Sequence, residues 1–69
     1  MVDTLLLEET IKKSGKKKTY LANKLGMSVQ NLRLKINGES DFWTNEVTIL
    51  CQELGITRLS DKEKIFFKM

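Results

Sequence analysis

The chain has 69 residues, a single cysteine, no histidine and no proline. That is one domain with a core barely adequate without staples, and staples are excluded: Cys51 has no disulfide partner and a zinc site would lack histidine ligands. The formal net charge is only +3, yet eight Lys and Arg and no acid lie between Thr10 and Gly38, while the other 40 residues carry nine acids against four bases. Like charges crowded on a small domain repel one another, and nucleic acid is the commonest polyanion to neutralise such a block. Composition alone leaves a second reading standing, the chance segregation of merely solvated charge.

The N-terminus offers Leu5-Leu6-Leu7 followed at once by Glu8-Glu9, which is neither a signal peptide nor a membrane span. A cytoplasmic setting follows, where a lone thiol in an apolar helical stretch reads as a small core residue. Glycines at 15, 26, 38 and 55 each follow an apolar segment of helical period, where a C-terminal cap belongs. The first helix is expected from about Thr4 to Lys13, burying Leu7 and Ile11. The second covers about Lys17 to Leu25, with Leu21, Ala22 and Leu25 on one face. Ser28 is a good N-cap for a third, Val29 to Ile36, stopped by Asn37-Gly38. After a loop from Glu39 to Trp43, a fourth runs from about Asn45 to Leu54, with Val47, Leu50, Cys51 and Leu54 as its apolar stripe. Ser60-Asp61-Lys62-Glu63 has the pattern of a capping box opening a last helix through about Phe67. No segment reads as a strand. The fold class is all-α, one domain of five helices.

Helices two and three have the logic of a helix-turn-helix. Where two short helices meet steeply a small residue is needed, and Ala22 fits; the turn needs tolerance of positive φ, and Gly26 fits. Leu32 and Ile36 then face inward from the third helix, the element that lies in the DNA major groove in such motifs. The stretch Tyr20-Leu21-Ala22-Asn23-Lys24-Leu25-Gly26-Met27-Ser28, with Asn37-Gly38 and Phe42…Glu46, resembles the Cro/repressor-type helix-turn-helix family. The tail from Leu59 to Phe67 resembles the closing segment of small regulators from phages of Gram-positive bacteria. The likeness covers about residues 4 to 67 and implies a five-helix, lambda-repressor-like domain with its helix-turn-helix at about residues 17–37. Lys17 departs from the pattern: it stands at the N-cap of helix two and cannot cap through its side chain.

Successive helical residues turn by about 100°, so with Leu32 and Ile36 inward, Val29, Gln30, Arg33 and Leu34 project outward. The family's base-contacting positions fall on these four. Gln30 can pair with adenine, Arg33 with guanine or a phosphate, and Val29 and Leu34 can pack against thymine methyls. Core packing is the alternative for Val29 and Leu34, a solvated face for the other two. Backbone contacts are expected from Lys17 and Lys18 at the start of helix two, from Ser28 (which can also simply cap), from Lys35, and from Asn37, which matches a family phosphate contact. Lys16 would add diffuse attraction, whereas Lys12, Lys13 and Lys24 read as solvated. Tyr20 and Trp43 are each either a phosphate-contacting ring or partial core; Phe42 reads as core. About five neutralised phosphates per protomer would give a dimer a slope of log K against log salt near −9.

A module this small buries little surface, so two copies reading a pseudo-palindromic operator in double-stranded DNA are expected, as a homodimer at least when bound. Ile65, Phe66, Phe67 and Met69 cluster at the C-terminus, either to close the core or to form the dimer interface, and Leu5 and Leu6 can join either. The resemblance implies a transcriptional regulator of the Cro type, working by operator occupancy in a bacterial host cell, without cofactor, metal, small-molecule ligand or membrane. The alternative is a protein-binding module such as an antitoxin or antirepressor, since fold does not fix function. Lacking His and paired carboxylates, the chain does not read as an enzyme.

Overall fold

The computed structural model describes residues 1–67, and among them there are five helices and no strand. They are α1 (Thr4–Ser14), α2 (Lys18–Leu25), α3 (Val29–Ile36), α4 (Thr44–Leu54) and α5 (Leu59–Phe66). Met69, grouped above with the terminal apolar cluster, lies outside the described residues. None of these helices is long and apolar enough to cross a membrane. The Cα radius of gyration is 10.7 Å, close to the ~11 Å of a folded chain of this length.

Local chemistry sets most of the boundaries. The Asp3 carboxylate accepts the Leu6 amide at 3.1 Å and opens α1, and the Ser28 hydroxyl accepts the Asn31 amide at 3.1 Å and opens α3, both satisfying an amide without a helical partner. Lys17 does stand at the N-cap of α2 without a side-chain bond. Between α2 and α3 the chain turns on Gly26, at φ 69°. Its amide donates to the Asn23 carbonyl and the Met27 amide to the Ala22 carbonyl, each at 3.0 Å. This pattern closes the last turn of α2 on its own free carbonyls before α3 begins.

The last helix departs from the sequence expectation. Arg58, not Ser60, is the N-cap of α5, no side chain caps it, and the Ser60–Glu63 box does not form. The Asp61 and Lys62 amides both donate to the Arg58 carbonyl at 3.1 Å, so the helix starts a residue before Ser60. Asp61 then lies in the first turn, where its charge faces the free amides. At α4 the boundary moves by one residue, to Trp43 as N-cap. Its backbone amide donates to the Glu46 carboxylate at 2.9 Å; the indole is only a donor, so this is one half of a capping box.

The core gathers Leu7 and Ile11 of α1, Leu21 and Ala22 of α2, Leu32 and Ile36 of α3, Val47, Leu50 and Cys51 of α4, Ile56, and Ile65 and Phe66 of α5. Phe42 is half-buried rather than internal, its ring edge-on to Phe66 with centroids 5.5 Å apart. Ile65 and Phe66 are only 4% and 5% exposed. They close this protomer's own core; of the three residues offered for a dimer interface, only Phe67 is on the surface.

The N-terminal segment ties the ends together. The Thr4 hydroxyl donates to the Ile36 carbonyl at 2.8 Å, capping the end of α3, and the Asp3 amide donates to the Ile65 carbonyl at 2.6 Å. The α2–α3 turn offers a direct check on the backbone account. A Cβ on Gly26 would meet nothing within 4 Å, so Gly26→Ala should cost only the left-handed backbone penalty, about 1–2 kcal/mol. Urea denaturation should show that loss with an unchanged m-value, and Gly26→Asn, which tolerates this conformation better, should recover part of it.

Candidate nucleic-acid interface

The outward face of α3 is made by its own periodicity. With Leu32 and Ile36 buried, Gln30, Asn31, Arg33 and Leu34 are exposed, and so is Asn37 just beyond the helix. Gln30 and Arg33 engage no carboxylate among the described residues. Leu34 is 37% exposed, a partly open apolar side chain on an otherwise polar face. Val29 does not join that face fully: it is half-buried against the core. It lines a shallow groove between α2 and α3 with Thr19, Ala22, Asn23, Gly26, Met27 and Ser28. Asn31, absent from the sequence-based assignment, stands 100° from Gln30 around the helix and shares its exposure.

The basic segment looks different once folded. Four of its eight charges are in ion pairs: Lys13 with Glu9, Lys16 with Glu53, Lys18 with Glu8, and Lys35 with Glu46. Every one of these acids lies outside the acid-free stretch, and the last three pairs join the helix-turn-helix or the loop before it to α1 or α4. Lys12, Lys17, Lys24 and Arg33 have no ion pair among the described residues. Of the five residues assigned to the DNA backbone, Lys17, Ser28 and Asn37 are exposed, whereas Lys18 and Lys35 are each held by a glutamate.

Lys35 is held most firmly. Its side chain is 14% exposed and that of Glu46 13%, and its ammonium lies 5.7 Å from the centre of the Trp43 ring. Burial pushes the Glu46 carboxyl up, but the hydrogen bonds from Lys35 and the Trp43 amide, with the Lys35 charge, outweigh it and hold the pKa below the usual 4.5. Lys35 is thus a brace between α3 and α4 rather than an open phosphate contact.

Both aromatic side chains left open by the sequence have definite surroundings. The Tyr20 hydroxyl donates to the Glu53 carboxylate at 2.9 Å, and its ring lies 5.6 Å from the Lys16 ammonium and 5.5 Å from that of Lys24. Hydrogen bonds from Lys16 and Tyr20, with the charges of Lys16 and Lys24, hold the Glu53 carboxyl below its usual range against a smaller effect of burial. Trp43 is 70% exposed and is not core. Cys51 is buried, which pushes its thiol pKa up, opposed weakly by Lys62; a thiol so placed is a packing group.

Comparison with known protein families, curated proteins and solved structures found no match.

The glutamate braces make stability depend on pH with a definite sign. Because the Glu46 carboxyl in the folded chain lies below its unfolded value near 4.5, the unfolded chain takes up the proton first as pH falls. The contribution is therefore complete above about pH 5 and lost progressively below it. Urea midpoints at pH 7 and pH 4 should fall further apart for the wild type than for Glu46→Gln; equal differences would remove Glu46 from the account. Lys35→Ala, which strands the carboxylate, should cost about 1–3 kcal/mol at pH 7.

Proposed function

We propose that this chain is a sequence-specific double-stranded DNA-binding regulator that reads its operator with α3 lying in the major groove. The observation that carries the reading is the outward face of α3, where Gln30, Asn31, Arg33 and Asn37 stand exposed and free of carboxylate partners beside Lys17 at the start of α2. A helix such as α3 is about 10–12 Å across with its side chains and fits a groove about 12 Å wide. Gln30 can offer its amide to adenine and Arg33 its paired donors to guanine, while Leu34 supplies an apolar surface for a thymine methyl. Lys17 and the exposed first turns of α2 and α3 would meet phosphates, fixing orientation without reading sequence.

Two copies of so small a module would bind together on a pseudo-palindromic site, and occupancy alone would exclude a competitor. With Lys18 and Lys35 engaged internally, Lys17, Lys24 and Arg33 remain as the free cations of the helix-turn-helix. Six such charges in a pair of protomers give a slope of log K against log salt of about −5 before any contribution from Lys18, shallower than the bare sequence suggests.

A protein-binding module, such as an antitoxin or antirepressor, is the second reading, and one observation favours it. Internal pairing removes half of the bare positive charge that argued against a protein interface, since such interfaces are depleted in lysine. An electrophoretic shift with random duplex at low salt separates the two, and no binding there rejects the DNA reading. Within it, Gln30→Ala should relax base preference by about 1–3 kcal/mol at one position of the site. Lys17→Ala should weaken all sequences alike and flatten the salt slope by about 1 per protomer. Selection of binding sites from a random pool with each variant reads both effects; the same outcome from both would refute the division into reading and holding.

A further inference from the structure

The three ion pairs that join the helix-turn-helix and the loop before it to α1 and α4 are not held alike. Lys35 and Glu46 are almost closed from solvent, and Glu46 also takes the Trp43 amide. Lys16 donates to the Glu53 carboxylate at 3.1 Å and to the Glu53 backbone carbonyl at 2.6 Å. That carbonyl belongs to the last turn of α4, where carbonyls lack helical partners, so Lys16 is also a cap. Lys18 has Glu8 alone, at 2.8 and 3.0 Å from the two carboxylate oxygens. This pair is open as well, its side chains 31% and 39% exposed. Lys18 is moreover the first residue of α2, beside exposed Lys17 and the free amides of that helix end.

We infer that Glu8 is an internal competitor for phosphate: it holds Lys18 in the free protein and yields it to the DNA backbone on binding. Glu8 thereby sets the strength of binding without touching DNA, acting as a positioning residue through Lys18. The inference rests on the DNA-binding reading above. An exposed ion pair of this geometry is weak and exchangeable, whereas a phosphate contact also releases a condensed counterion. The other two pairs lack this freedom, because each glutamate or lysine is fixed by a second bond.

The test is a double-mutant cycle on the full chain, measuring binding to a random duplex of about 20 base pairs between roughly 50 and 200 mM salt. Glu8→Gln should bind about three- to five-fold tighter per protomer at the low end, with a salt slope close to that of the wild type, because Lys18 meets phosphate in both complexes. Glu8→Ala should do the same, which guards against an effect peculiar to glutamine. Both gains should vanish in the Lys18→Ala background. Equal gains with and without Lys18 would reduce Glu8 to a general charge effect and overturn the proposal, as would wild-type affinity in Glu8→Gln. A wild type that binds no duplex at all would instead reject the DNA reading, and this proposal with it.

Discussion

Everything in this domain depends on the apolar junction at which four helices meet. The fully buried large side chains are Leu7, Leu21, Leu32, Ile36 and Leu50, drawn from α1, α2, α3 and α4. Each is worth about 1.5–3 kcal/mol on leaving water, and a single cysteine leaves no intrachain disulfide to share the task. Because α2 and α3 pack on one another, α2 also on α4 and α3 also on α1, the orientation of the outward face of α3 follows from the inward one. Leu32 and Ile36 cannot be buried without turning Gln30 and Arg33 to solvent.

Around that junction the charges form a second framework. Glu8 of α1 and Glu46 and Glu53 of α4 each take a lysine of the helix-turn-helix or the loop before it. A segment that looks uniformly positive along the chain is therefore interleaved with negative charge in space. The self-repulsion expected of an unbroken basic block is relieved by the fold before any partner arrives. What remains without an ion pair among the described residues is half of that block, Lys12, Lys17, Lys24 and Arg33. For a reader of DNA, this shifts weight from diffuse attraction toward particular contacts.

The helices were legible because their causes are local. Apolar period, Ser28 as a cap and the glycines after each segment all act within one turn, so α1 to α4 fall within a residue of expectation. The start of α5 was not, since the Ser60–Glu63 pattern has the composition of a capping box, yet the helix opens at Arg58 with Asp61 serving its first turn. Exposure of Gln30, Arg33 and Asn37 followed from helical geometry once Leu32 and Ile36 were inward. The engagement of Lys18 and Lys35 did not, because Glu8 and Glu46 lie ten and eleven residues away and meet them only after packing. Asn31 was missed for a different reason: it follows the cap, where its amide, not its side chain, draws notice. The double role left open for Ile65 and Phe66 was likewise a matter of tertiary packing, since an apolar terminus looks the same whether it folds inward or waits for a partner.

The bonds made by Asp3 and Thr4 have a consequence for how the domain comes apart. One joins residues 32 apart and the other joins residues 3 and 65, so both close long loops. Loop closure costs entropy that grows with loop length, and contacts of this span form only when most of the intervening chain is ordered. Fraying of α5 would release the Asp3 amide, loosen Thr4, and uncover the last carbonyl of α3. Order at the two chain ends and at the tip of the outward-facing helix therefore rises and falls together, giving a 69-residue chain a single cooperative unit where separate terminal fraying would be expected.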